Sequence, residues 1–102
     1  MANIQEARRA LVARILEGKG TMPHLQRRAA FDNDRLDEAV KTLVRKVAER
    51  AHSVTDDDIA RARRAGLSED QIFELVVCAA VGQATRQFES AAAALEAAVA
   101  KG

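Results

Sequence analysis

Apolar residues recur every three or four positions along most of this 102-residue chain, which is the spacing of amphipathic α-helices. Alanine is the commonest residue, proline occurs once, and no stretch shows the apolar-polar alternation of a strand. A chain of this length supports one modest core. The sequence therefore predicts an all-α fold, a compact bundle of about five helices in a single domain spanning residues 1–102.

Glycine, proline and acidic residues separate the first three predicted helices. The first helix ends at Gly18 and Gly20, and a short second helix begins near Pro23 and breaks at the Asp-Asn-Asp run 32–34. The third begins near Leu36 and has the most regular apolar face in the chain. That face consists of Leu36, Ala39, Val40, Leu43, Val44, Val47 and Ala51.

The fourth and fifth helices have the clearest start and stop signals. Thr55 is placed to cap the fourth helix by accepting a hydrogen bond from the Asp58 amide. Gly66 is expected to end that helix in the left-handed conformation. Ser68 and Gln71 then form a capping box at the start of the fifth.

The fifth helix is predicted to run from Glu69 to about Val99 and to change character along its length. It is apolar nearly all round over residues 72–81 and continues as a narrow apolar stripe. The stripe consists of Phe88, Ala92, Leu95 and Val99. Because it extends past the reach of the shorter helices, we expect a neighbouring subunit to cover it. Gly82, with its small neighbours Ala79 and Ala80, would allow close approach at that subunit contact.

The composition leaves few large side chains for the core. Tryptophan and tyrosine are absent, so we expect a core of leucine, valine, isoleucine and alanine together with Phe31, Phe73 and Phe88. Such a core buries limited apolar area per residue, which favours stabilisation by oligomerisation.

Charge and cysteine content exclude several classes of partner. Sixteen basic and fifteen acidic residues give a near-neutral chain, which offers no field to attract nucleic acid or an anionic membrane. No apolar run approaches the length of a membrane span, and the N-terminus lacks the apolar core of a signal peptide. Cys78 is the only cysteine and cannot form an intrachain disulfide. We therefore expect a cytoplasmic protein.

Two residues are candidates for catalytic chemistry. Arg86, one turn beyond Gly82, could hold a carboxylate of a small anionic molecule, or it could form a salt bridge to one of the acids 56–58. His52 could act as a general base above a pocket between helices, or it could be a histidine that the helix dipole favours at a helix C-terminus.

The remaining reactive side chains have structural interpretations. Cys78 lies on the most apolar helix, where a thiol packs as a small hydrophobe and is a poor nucleophile. The acids 56–58 are consecutive on a helix and point in different directions, so they are not expected to bind a metal ion. No cofactor is expected. The arginines of residues 8–9, 27–28 and 61–64 are interpreted as solvated faces.

Residues 36–95 resemble the carboxymuconolactone decarboxylase and AhpD-like helical family. The most specific match is the segment VTDDDIARARRAGLSEDQIFEL, followed by a helix rich in small residues with Gly82 and Arg86. The thiol-peroxidase branch of that family carries two cysteines and a histidine, and the corresponding positions here are Ala51, Val54 and Asp58. The resemblance thus implies an AhpD-like fold without peroxidase chemistry.

The resemblance also implies how the protein assembles, because domains of this family associate through their helices into trimers or hexamers. The first functional hypothesis is a homo-oligomer that acts as a scaffold or small-molecule binder. The alternative is a cofactor-free enzyme of the carboxymuconolactone decarboxylase type that acts on a small carboxylate metabolite, with His52 as base and Arg86 holding the anion. Glu38 falls near a glutamate of the peroxidase branch, but no role is transferred to it.

Overall fold

Five α-helices and one 3-10 helix form the regular structure of the computed structural model, which describes the backbone of residues 2–102 and the side chains from Ile4 onward. The predicted all-α class is confirmed, and the interruptions between helices fall where the glycine, proline and acidic residues predicted them. The helices are α1 (Ala2–Glu17), α2 (His24–Asp32), α3 (Glu38–Arg50), the 3-10 helix (Ala51–Ser53), α4 (Asp56–Arg64) and α5 (Glu69–Lys101).

Both predicted capping arrangements are present. The Thr55 hydroxyl accepts a hydrogen bond from the Asp58 amide at 3.3 Å, and the Asp58 carboxylate accepts one from the Thr55 amide at 2.9 Å. Ser68 and Gln71 exchange the equivalent bonds at 3.1 and 2.9 Å. These pairs satisfy amides that would otherwise lack a partner in the first helical turn, and so determine where α4 and α5 begin.

Gly66 separates α4 from α5. Its φ of +102° lies in the region that side chains disfavour, as predicted. The amides of Gly66 and Leu67 donate to the carbonyls of Arg63 at 3.0 Å and Ala62 at 3.2 Å, which is the Schellman arrangement at a helix C-terminus. Gly66 therefore ends α4, and α5 begins at Glu69, three residues later.

The core lies along one face of the first half of α5, and α2 and α3 make the most extensive contacts with that face. Leu43, Val44, Leu75 and Cys78 are its largest fully buried side chains. The other buried apolar residues are Leu16, Met22, Ala30, Phe31, Val40, Ala48, Ala62, Ile72 and Ala79.

The expectation that all three phenylalanines belong to the core is wrong for two of them. Phe31 is buried, but Phe73 is 67% exposed and Phe88 is 40% exposed. Ile72 and Leu75 occupy the core face of α5, and a residue one position from Ile72 is rotated about 100° away from it. Apolar residues surround α5, whereas its neighbours cover one side.

The C-terminal part of α5 projects beyond the other helices. Its 33 residues span about 50 Å, nearly the whole 54 Å long axis of the molecule. α1 runs antiparallel beside α5, since Ile15 contacts Cys78 and Arg8 lies over the ring of Phe88. Residues 93–102 are all exposed.

Candidate functional site

The guanidinium of Arg86 binds the C-terminus of α2. Its Nη1 donates to the backbone carbonyl of Phe31 at 2.6 Å, and its Nη2 donates to the Gln83 side chain at 3.1 Å. The last carbonyls of a helix lack intrahelical partners, so a charged donor there is stabilising. The predicted salt bridge to residues 56–58 is wrong, because Asp57 pairs with Arg61 and Arg64 and Asp58 with Lys46.

Gly82 explains why Arg86 reaches this carbonyl. A Cβ built on Gly82 would overlap the backbone of Phe31, so only glycine lets α5 approach the end of α2 so closely. Ala79, one turn earlier, is fully buried. These two residues were expected at a contact between subunits, but they bring two helices of the same chain together. The close approach was correctly inferred, whereas its partner was not.

Around Arg86, the helices α1, α2 and α5 enclose a cleft of about 650 Å³. We call it the arginine cleft. Four of its lining residues are arginines and three are acids, which leaves one excess positive charge. The arginines are Arg8, Arg9, Arg28 and Arg86, and the acids are Glu17, Asp32 and Glu89. Its floor is apolar, with Val12, Leu16 and Phe31.

Two of these arginines, Arg8 and Arg28, already have partners in the same chain. Arg28 forms an i,i+4 ion pair with Asp32 at 3.2 Å and lies 5.7 Å from the centre of the Phe31 ring. Arg8 lies 3.8 Å above the ring of Phe88, which is a cation–π distance. The basic residues of α1 and α2 were interpreted as solvated faces. Arg9 and Arg28 are exposed as expected, whereas Arg8 is half-buried, and the tertiary structure adds an aromatic ring beside Arg8 and another beside Arg28.

His52 lies on the 3-10 helix directly after α3, with its side chain exposed. It lines neither the arginine cleft nor the second cavity described below. The structure therefore does not bring His52 and Arg86 into one pocket. Its place just beyond the last turn of α3 agrees with the alternative interpretation as a residue near a helix C-terminus.

Cys78 is 1% exposed, and its Sγ lies 3.8 Å from the carbonyl oxygen of Ile15. Burial raises the pKa of the thiol, with Arg27 opposing that effect and Glu74 adding to it. A thiol that is protonated and out of reach of solvent is a poor nucleophile. The predicted packing role is confirmed.

Arg27 and Glu74 form an ion pair that the sequence pattern did not predict. Arg27, which was interpreted as part of a solvated face, is buried, and it donates to the carbonyls of Met22 at 2.7 Å and Gly18 at 2.6 Å. Glu74 accepts hydrogen bonds from the amide and hydroxyl of Thr21. Together these bonds fasten the α1–α2 connection to α5.

In the same cluster, the carboxyl group of Glu74 has a lowered pKa, and position 20 has no room for a side chain. Burial acts to raise the pKa of Glu74, but the hydrogen bonds from Thr21 and Met22 outweigh it, and the pKa lies below its usual value. A side chain on Gly20 would overlap the carboxylate of Glu74 and approach the guanidinium of Arg27. Gly20 was interpreted as a helix terminator, and its closeness to Glu74, 54 positions away, had no local signal.

A second cavity, of about 490 Å³, lies between α2, the start of α3 and the α4–α5 turn. Its walls are mainly apolar, from residues that include Met22, Leu25, Leu36, Val40, Leu67 and Leu75. Arg35, which has a φ of +58°, and Asp37 stand at its edge with opposite charges. No sequence signal indicated this cavity, because its walls come from four separate segments.

Acidic and other ligand-type side chains do not cluster in the part of the chain that the structure describes. Among those residues, no group of three histidine, cysteine, aspartate or glutamate side chains could hold a metal ion. None of the described helices combines the length and the apolar character needed to cross a membrane. No model of a known protein family, no curated protein and no solved structure matches the chain.

Proposed function

We propose that this protein is a homo-oligomer whose copies associate through α5, and that it serves as a scaffold or small-molecule binder without thiol-peroxidase chemistry. The observation that carries the proposal is the exposure of the apolar stripe at the end of α5. Leu95 is 66% exposed and Val99 is 69% exposed, on a helix that projects past its own neighbours. The trimers or hexamers implied by the AhpD-like resemblance agree with such an assembly.

Burial of the stripe would stabilise an assembly. Removing apolar surface from water contributes roughly 25 cal/mol for each Å², and an exposed contiguous apolar strip on a single copy promotes aggregation. Alanines dominate the surroundings of the stripe, at Ala91, Ala94 and Ala98, so that another helix could approach closely. A second copy of α5 has the same small and apolar surface to offer.

Sedimentation of the wild type and of two charge variants tests this proposal. Leu95→Glu places a carboxylate in the stripe and is expected to lower the association constant at least about 100-fold, which corresponds to about 2.7 kcal/mol. Ala97→Glu adds the same charge two residues away, on the opposite side of the helix, and is the matched control. Circular dichroism checks that both variants remain helical. A monomeric wild type, or an equal decrease of the association constant in both variants, would contradict the proposal.

The arginine cleft favours a more specific binding role, for a small anionic molecule. Guanidinium groups bind carboxylates and phosphates through paired hydrogen bonds, and the excess positive charge favours an anion. Arg9 lines the cleft with an exposed side chain, so it is the residue best placed to meet a ligand at the entrance.

Titration calorimetry with citrate at low salt tests the anion site. Arg9→Ala is expected to weaken citrate binding at least about 10-fold, because one charged donor is lost. Arg45→Ala removes an exposed arginine from α3, outside the cleft, and should leave the affinity unchanged. Equal weakening in both variants, or no saturable binding to the wild type, would exclude a specific anion site.

A further inference from the structure

The exposed side of α5 has an 11-residue repeat. Phe88 lies 11 residues from both Val77 and Val99, and the residues between them repeat in the same way. The full set, which we call the extended stripe, consists of Val77, Val81, Ala84, Phe88, Ala92, Leu95 and Val99. Eleven residues make three turns at 3.67 residues per turn, close to the 3.6 of an α-helix. The extended stripe therefore runs almost parallel to the helix axis.

Every member of the extended stripe is exposed or half-buried in the single chain, and Val81 also packs against the edge of the core. By contrast, the other helices cover the buried residues of α5, which are Ile72, Leu75, Cys78, Ala79 and Gly82. The extended stripe thus begins on the outer side of the part of α5 that packs on the core, and it continues along the part that projects.

The spacing of the extended stripe is the same in both directions. Its successive intervals are 4, 3, 4, 4, 3 and 4 residues, with Phe88 at the centre. We infer that two copies of α5 pair antiparallel about a two-fold axis at Phe88. In this register Val81 meets Leu95 of the second copy, and Ala84 meets Ala92. This inference rests on the proposed self-association and specifies its geometry.

The same register lets each copy cover what the other leaves exposed. Residues 88–101 of one copy lie beside residues 75–88 of the other, so that the projecting half covers the outer side of the core-packed half. The buried face of α5 lies on the side away from the extended stripe, but Arg8 of α1 reaches over the ring of Phe88 and would border the two-fold axis. In the pair, the two core-packed halves lie at opposite ends. One interface would therefore bury both exposed parts of the extended stripe.

The size of this contact fits a specific interface. Residues 75–101 overlap over about 40 Å, and a helix presents a strip about 12 Å wide. The two copies together would bury about 1,000 Å², which reaches the lower bound for a specific association. Pairing the projecting halves alone, with Phe88 against Val99, would bury roughly half as much and leave Val77 and Ala84 exposed.

Cysteine cross-linking of the full chain distinguishes this register from the others. In a Cys78→Ala background, Val81→Cys with Leu95→Cys is expected to give a disulfide-linked dimer on mild oxidation, since the two positions face each other in the inferred pair. Cysteine is a small apolar residue and preserves the extended stripe. Leu95→Cys alone is expected to give no cross-linked dimer, because its two copies lie about 21 Å apart along the axis.

Other outcomes would overturn the inference in distinguishable ways. Cross-linking by Ala92→Cys with Leu95→Cys, but not by Val81→Cys with Leu95→Cys, would indicate pairing of the projecting halves alone. Cross-linking by Leu95→Cys alone would indicate parallel helices. A trimer in sedimentation, or an assembly in which neither cysteine pair cross-links, would exclude the two-fold pair. A monomeric wild type would contradict both the two-fold pair and the proposed self-association. A hexamer agrees with the inference, because it can be built from three such pairs.

Discussion

Arg27 and Glu74 face each other across the connection between α1 and α2, with Nη2 of the arginine 3.5 Å from a carboxylate oxygen. The side chains are 4% and 20% exposed. The pair ties α5 to a turn whose own residues are mostly exposed, and no other ion pair among the described residues joins positions so far apart in the chain.

Replacing Glu74 with glutamine is expected to destabilise the fold by about 2–4 kcal/mol. The buried Arg27 would lose its counter-ion, and removing one partner of a buried ion pair costs more than removing both. Urea unfolding measures the loss. Glu69→Gln is the control, because Glu69 pairs with Arg63 in an exposed ion pair and its loss should cost well under 1 kcal/mol. Equal effects of the two changes would contradict a structural role for the buried pair.

Gly82→Ala is expected to destabilise the protein by about 2–3 kcal/mol, since the added methyl group overlaps the backbone of Phe31 and pushes α2 away from α5. Alanine by itself favours a helix interior by up to about 1 kcal/mol over glycine. Helix propensity therefore predicts that Gly82→Ala stabilises the protein, whereas the tertiary contact predicts that it destabilises the protein. Thermal unfolding decides between them, and a raised melting temperature would show that the two backbones do not meet.

Stability is expected to fall as the pH drops from about 4 to about 2, in part because of Asp58. The Lys46 ammonium and the Thr55 amide lower the pKa of Asp58 from 3.8 to about 2. A carboxylate whose pKa is lower in the folded state stabilises that state above the unfolded pKa. That contribution is lost on acidification through the folded value.

Asp58→Asn is expected to reduce stability at neutral pH and to make its decrease between pH 4 and 2 shallower than in the wild type. Urea midpoints across this range measure the difference. Asp57→Asn serves as the control, because Asp57 is exposed and its distances to Arg61 and Arg64 are 3.9 Å. An unchanged acid slope in Asp58→Asn would show that this carboxylate is not responsible.

Cys78 is expected to react with Ellman's reagent at least about 100-fold more slowly in the native protein than in urea, because its thiol is buried and its pKa is raised. The urea-unfolded sample is the internal control and should release one equivalent of thiol. Rapid reaction of the native protein would contradict the packing role.

The beginnings and ends of the helices were predictable because their causes are local. Thr55 with Asp58, and Ser68 with Gln71, satisfy backbone groups within one turn, and the positive φ of Gly66 depends on that residue alone. The candidate site was less predictable. Arg86 was predicted to bind a ligand carboxylate or an acid of residues 56–58, whereas its guanidinium binds a carbonyl 55 residues away.

The sequence by itself determined the all-α class, the order and limits of the helices, the burial of Cys78 and the apolar surface at the end of α5. Each of these follows from helical periodicity or from hydrogen bonds within a few residues, which do not depend on how the helices pack. The tertiary structure decided that Phe73 faces solvent, that Gly82 meets Phe31, and that Arg27 is buried beside Glu74. Those outcomes depend on which side of each helix its neighbours cover, and contacts between residues far apart in the chain determine that choice.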